Sequence, residues 1–146
     1  MKLVIQRVKQ ASVTVAGKLV AETGEGYLIL IGISRYDSRT QLEWLARKTL
    51  DLRIFEDEAG KMNRSLPEIG GEILLVSQFT LYADCRKGRR PGFDQAAPPD
   101  LAEKLYLDFA ELLQQGGIRV KTGIFGADMQ VELVNDGPVT ILLEKE

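Results

Sequence analysis

The chain has 146 residues, 45% of them hydrophobic and 27% charged, and its 19 basic and 21 acidic side chains leave a net charge of −2. That describes one soluble globular domain that buries roughly 68–70% of its unfolded surface, with no whole-surface field for nucleic acid or membranes, so any nucleic-acid contact needs a local patch. The absence of histidine excludes Ser-His-Asp and Cys-His triads and HExxH zinc sites, and the single cysteine, Cys85, excludes intrachain disulfides and Cys-rich zinc sites.

The start, Met1 to Arg7, reads as a strand and lacks the apolar core and cleavage site of a signal peptide. With a lone cysteine, this predicts a cytoplasmic protein. The opening is β-rich: Leu3–Val8, Ser12–Val15 and Lys18–Glu22 are short strands, the last two joined by a turn at Ala16-Gly17. Gly26–Ile33 reads as a buried strand, and its apolar run from Tyr27 to Ile31 is far too short to span a bilayer. Ser38 with Gln41 three residues later forms a capping box, and Leu42, Leu45, Ala46, Thr49 and Leu50 follow at helical spacing, predicting a helix over 38–51. Leu52–Phe55 returns to strand, and Glu56–Gly71 reads as loop.

Ile73–Val76 is a continuous apolar run, a central strand leading into Ser77-Gln78-Phe79-Thr80. Ala83–Pro99, rich in glycine and proline, is loop. A second helix starts near Asp100, is buried along Leu101, Leu105, Phe109, Leu112 and Leu113, and ends at Gly116-Gly117. Ile118–Lys121, Met129–Val134 and Val139–Leu143 are closing strands, with Asn135-Asp136-Gly137-Pro138 between the last two. No repeat or linker interrupts the chain, so a single domain over 1–146 is expected: mixed α/β or α+β, with two main helices and a sheet curled towards a barrel.

An enzyme built from these residues must use carboxylates, hydroxyls, backbone amides or its own substrate. Polar groups directly after a buried strand are held rigidly, so Ser77, Gln78, Phe79 and Thr80 could orient a substrate, and their backbone N–H groups could face an oxyanion. The plainer reading is a strand end whose polar residues face water or cap a nearby helix. No base for Ser77 or Thr80 is visible, and an unaided hydroxyl is a weak nucleophile. Asn-Asp-Gly is strong turn chemistry. A trans Gly137-Pro138 would make a plain hairpin turn, whereas a cis bond, found in about 5–6% of X-Pro bonds, could aim two carbonyls at an ammonium. Arg86, Lys87, Arg89 and Arg90 suit RNA phosphates or form a solvated loop. Cys85 beside them could be a reactive thiol. Phe125 and Met129 fill core or line a pocket beside the two motifs. The charges at Glu56-Asp57-Glu58 and Glu103-Lys104 read as surface.

Ser77-Gln78-Phe79-Thr80, followed about sixty residues on by Asn135-Asp136-Gly137-Pro138-Val139-Thr140, resembles bacterial D-aminoacyl-tRNA deacylase, first known as D-tyrosyl-tRNA deacylase. Ile5-Gln6-Arg7-Val8, Ala11-Ser12-Val13, Gly60-Lys61-Met62-Asn63 and Ala127-Asp128-Met129 extend the resemblance over essentially the whole chain. It implies a homodimer that hydrolyses the ester between a D-amino acid, or glycine, and the 3′-terminal adenosine of tRNA; the residues themselves offer no cofactor motif or metal-ligand set, so none is expected. It further implies that Gly137-Pro138 is a cis dipeptide entering the partner's pocket to exclude L-amino acids, with Val139 and Thr140 beside it. Ser77, Gln78, Phe79 and Thr80 would then form the opposite wall, with Met129 at the pocket and Arg7 holding the Gly-Pro element. In that family, Thr80 was first taken as a nucleophile; catalysis is now read as RNA-assisted, with Thr80 structural or orienting. The alternative kept open is a non-catalytic tRNA-binding module using residues 86–90.

Overall fold

One long strand organises the sheet. In the computed structural model, which describes residues 1–146, β1 runs over Lys2–Val15. It is followed by β2 (Lys18–Thr23), β3 (Gly26–Gly32), α1 (Arg39–Asp51), β4 (Phe55–Glu56), β5 (Met62–Arg64), α2 (Leu66–Ile69) and β6 (Glu72–Ser77). A 3₁₀ turn (Phe79–Tyr82), α3 (Pro99–Gln115), β7 (Arg119–Thr122) and β8 (Gln130–Glu144) complete the chain. The main sheet runs β2-β1-β3-β6-β7, with β8 pairing β1 on its other side. The fold is a mixed α+β domain with a nearly closed, barrel-like sheet and three helices. β3/β6 and β6/β7 are parallel. Parallel neighbours need long crossovers, and α1 and α3 lie within them.

The curl comes from β1. Its buried residues fall on alternate positions as Leu3, Ile5 and Arg7, then change phase to Val8, Ala11 and Val13. Register shifts against β8 between Gln6, Val8 and Gln10 absorb the change. Bulges of this kind bend a strand and increase its twist. Leu3 and Ile5 therefore join the larger core beneath the helices, with Ile29, Ile73, Leu45 and Phe109. Val8, Ala11 and Val13 join a second core on the opposite side of β3 and β6, with Leu28 and Leu74. β3 and β6 are buried on both faces, which explains their near-continuous apolar sequences. Each fully buried Leu or Ile there contributes about 1.5–3 kcal/mol. No helix is long and apolar enough to cross a membrane.

Several boundaries differ from expectation. Leu3–Val8 and Ser12–Val15 are one strand, because both halves pair with β8. The strand expected at Leu52–Phe55 shrinks to Phe55–Glu56, since Leu52 caps α1. Glu56–Gly71 is not all loop. It holds β5 and α2, and α2 is capped by Ser65, whose N–H donates to Glu68 Oε2 at 2.6 Å. Met129–Val134 and Val139–Leu143 are likewise not two strands around a turn. The chain stays on β1 throughout β8, so it never reverses at Gly137-Pro138.

Candidate active site

The end of β6 is tied to the end of β3: the Gln78 N–H donates to the Ile31 carbonyl at 2.8 Å. The 3₁₀ turn then folds back over Gly32. A Cβ on Gly32 would sit 2.9 Å from Leu81 Cβ and 3.2 Å from the Gln78 carbonyl, so this turn needs glycine beneath it. Beside it opens a cavity of about 700 Å³, within the usual range for a small-molecule site. Twelve of its eighteen lining residues are hydrophobic, and Arg35 is the only ionisable one. A reaction there has no acid or base on the wall to draw on, unless the substrate brings one. No group of three or more His, Cys, Asp or Glu side chains is placed to hold a metal ion.

Ser77, Gln78 and Phe79 line this cavity, and Thr80 does not. The Gln78 amide donates to Thr80 Oγ1, on the exposed side of the turn. The Phe79 ring is 57% exposed and meets Phe93 edge-on, with centroids 4.9 Å apart. The backbone N–H groups of Phe79 and Thr80 begin the 3₁₀ turn, where no intrahelical acceptor exists, and neither donates to any turn, loop or cap acceptor. They are free donors at the end of a rigid strand. Met129 and Phe125 line the cavity too, and each also packs against a core.

The second motif forms a protrusion from β8. Gln6 pairs with Thr140 and Val8 with Asn135, so residues 136–139 lie opposite Arg7 alone. The Gly137-Pro138 bond is cis, and both residues are exposed. Arg7, only 5% exposed, braces the protrusion: its Nε donates to the Asp136 carbonyl at 2.7 Å and an Nη donates to the Ile54 carbonyl at 2.6 Å. Lys9 Nζ lies 3.2 Å from the Asp136 carboxylate and 3.1 Å from Glu25, and these two carboxylates hold its amine above the ordinary lysine value. Val139 packs against the larger core, and the Thr140 hydroxyl accepts from Asn135. None of residues 135–140 lines the cavity of its own chain.

The basic run lies on a loop pinned at its base, where Asp84 and Gly92 exchange backbone hydrogen bonds of 2.8 and 2.9 Å. Gly92 precedes Phe93, so the loop springs from the cavity wall. Arg86 is paired with Asp84 at 2.6 Å and holds that carboxyl far below the usual carboxylate range. Lys87, Arg89 and Arg90 have no carboxylate partner and face solvent.

Against known proteins, the family model described as D-Tyr-tRNA(Tyr) deacylase matches residues 4–144. The chain belongs to that family. A D-aminoacyl-tRNA deacylase of Thermomicrobium roseum is 60% identical over 144 residues, covering 99% of this chain and 94% of its own. A D-aminoacyl-tRNA deacylase of Chlorobaculum parvum is 57% identical, covering 99% and 97%. Among solved structures, one named c-Myc DNA Unwinding Element Binding Protein superposes with a TM-score of 0.94 at 48% identity, covering 100% of this chain and 99% of that one. A probable eukaryotic D-amino acid tRNA deacylase shares the fold, with a TM-score of 0.85 at 23% identity and 97% coverage of each chain.

Within this deacylase fold, the structure brings Ser77, Gln78, Phe79 and Met129 to one cavity and Arg7 to the Gly-Pro protrusion. It leaves the two groups apart within one chain. Sequence reasoning missed Arg35 and Phe93 as wall residues. No motif marks either; they converge because the backbone N–H of Arg35 donates to the Gln95 carbonyl at 3.2 Å, lacing the two segments together.

Proposed function

We propose that this member of the deacylase family hydrolyses the ester joining a D-amino acid, or glycine, to the 3′-terminal adenosine of tRNA, and spares L-aminoacyl-tRNA. The observation that carries this reading is the apolar cavity lined by Ser77, Gln78 and Phe79, with the free N–H groups of Phe79 and Thr80 at the adjoining strand end and no titratable acid or base on its wall. Such a site supplies position and an oxyanion cradle but no proton relay. An aminoacyl ester is already activated, and a vicinal ribose hydroxyl lies next to it. Water attacks the acyl carbon, and the tetrahedral oxygen rests on the free N–H groups. The ester C–O bond then breaks, and the ribose oxygen leaves with a proton passed through its neighbouring hydroxyl. The products are free amino acid and tRNA. Thr80, already bonded to Gln78, acts by orienting.

Chirality is read by a second copy of the chain. The Gly137-Pro138 protrusion is exposed, braced by Arg7 and absent from its own cavity, which suits insertion into a partner's. Its carbonyls receive the substrate ammonium, and an L side chain would point into backbone. Steric exclusion of this kind discriminates more strongly than a pocket lacking one methylene. Val139 and Thr140 support the protrusion. Lys87, Arg89 and Arg90 contact tRNA phosphates beside the cavity mouth.

The deciding experiment is deacylation of matched D-Tyr-tRNA and L-Tyr-tRNA, with and without chelator. The expected result is D-selective turnover insensitive to chelation. Equal cleavage of both enantiomers would overturn the reading. Thr80→Ala should keep most activity, and a loss on the order of 10⁵-fold would mark a hydroxyl nucleophile instead. The free cations of the 86–90 loop favour a second reading, a non-catalytic nucleic-acid-binding module, which predicts tRNA retention without ester cleavage.

A further inference from the structure

The protrusion between Asn135 and Thr140 has lost its backbone ladder. Residues 136–139 face Arg7 alone, so the usual strand-to-strand bonds cannot set its shape. Backbone groups in that position must find other partners or fluctuate. The Arg7 guanidinium takes the Asp136 carbonyl on the entering side. On the returning side, one side chain does the work. Asn135 Oδ1 accepts the Val139 N–H at 2.7 Å, and Asn135 Nδ2 donates to the Val139 carbonyl at 3.2 Å and to Thr140 Oγ1 at 3.2 Å. The amide thus pairs with both the N–H and the C=O of one residue, as a neighbouring strand would. It joins the two feet of the protrusion where β8 leaves and rejoins its register with β1.

We propose that Asn135 is a positioning residue for enantiomer selection: its side-chain amide fixes the direction in which Gly137-Pro138 projects. The inference rests on the deacylase reading above and assigns that site a further determinant. The chemistry requires an amide. Alanine removes the donor and the acceptor. Aspartate keeps the acceptor for the Val139 N–H but sets a carboxylate oxygen against the Val139 carbonyl. Arg7 alone cannot compensate, because its bonds reach Asp136 and Ile54 and not Val139. A wall that excludes an L side chain must be held closely, since a misplacement of about 1 Å costs on the order of 10²-fold.

The test compares kcat/KM for D-Tyr-tRNA and L-Tyr-tRNA in wild type, Asn135→Ala and Asn135→Asp, with the melting temperature of each. The expected result is a D/L ratio that falls about 10- to 100-fold in both variants. A purely structural Asn135 would lower the melting temperature and scale both enantiomers' rates together, leaving the ratio at its wild-type value; that outcome overturns the proposal. Amide hydrogen exchange of wild type covers the case in which a variant fails to fold. The Val139 N–H should exchange about 10-fold or more slowly than an unbonded amide, and an unprotected Val139 overturns the proposal. A wild type without enantiomer preference overturns the deacylase reading and this proposal together. A selective wild type with unprotected Val139, or with a selective Asn135→Ala, overturns this proposal alone.

Discussion

Gly137→Ala puts the geometry of the protrusion to a direct test. Gly137 has φ +150°, a conformation that L side chains rarely adopt. An ideal Cβ there lies 2.7 Å from Val139 Cγ2 and 2.8 Å from Val139 N, with Arg7 Nη2 at 3.4 Å. Favourable contacts between carbon atoms begin near ~3.5 Å, so the overlap is close to 1 Å. The Val139 side chain could turn, but its backbone nitrogen is held by Asn135 at 2.7 Å and cannot retreat without breaking that bond. A non-glycine residue forced into such a region costs about 1–3 kcal/mol. For a chain of this length each kcal/mol lowers Tm by roughly 2–4 °C, so Gly137→Ala should melt about 2–12 °C below wild type. The same displacement moves the dipeptide proposed to exclude L-amino acids, so under that reading the D/L ratio of kcat/KM on Tyr-tRNA should fall by about 10²-fold. Differential scanning calorimetry and paired deacylation assays read the two effects. A variant with wild-type Tm and a wild-type ratio would refute both the contact geometry and the role assigned to it.

Three further outcomes follow from other parts of the molecule. Reversing Arg89 and Arg90 to Glu removes two unpaired, exposed cations of the loop that springs from the cavity wall, and the slope of log affinity for tRNA against log salt should flatten by about 1 for each phosphate no longer neutralised; an unchanged slope would place the loop in solvent only. Tyr106→Phe deletes the hydroxyl that donates to the Leu75 carbonyl at 2.9 Å, but that carbonyl also accepts the Gly123 N–H at 3.1 Å and is not orphaned. The cost in urea denaturation should therefore be about 0.5–1.5 kcal/mol rather than the larger penalty of an unpaired buried group. Burial pushes the Tyr106 phenol from its ordinary 10.0 up to about 12, so the folded state retains a proton that the unfolded state releases, and stability should fall as pH rises from 10 through 12. Burial raises Tyr27 in the same sense. Thermal melts with tyrosinate absorbance should show the loss beginning below the folded-state titration; a melting temperature flat across that window would contradict it.

The site's economy has a physical basis. With no histidine in the chain and one ionisable residue on the cavity wall, the proposed catalysis rests on main-chain donors and an amide. Main-chain donors at a strand end need no protonation state, and they cost no reorganisation when charge develops on the acyl oxygen.

Much of this was legible in the linear sequence because it depends on local or periodic rules. The stripe Leu42, Leu45, Ala46 and Thr49 is buried on α1 as its spacing required, and the continuous apolar runs of β3 and β6 marked strands covered on both faces. The missing histidines limit the chemical repertoire whatever the fold. The Ser65 and Glu68 cap was also present in the sequence, but it starts a helix of only four residues, too short to leave a hydrophobic period. What the sequence could not reveal was pairing. Asn-Asp-Gly-Pro carries the local chemistry of a reversing turn, yet β8 passes through it without reversing, because both of its halves find hydrogen-bond partners on β1. A local propensity worth about 1 kcal/mol yields to a ladder of that length. Likewise, no spacing rule brings Arg35, Phe93 and Met129 around Ser77. They meet because two crossovers return the chain to the end of one parallel strand, and only the tertiary structure determines which loops converge there.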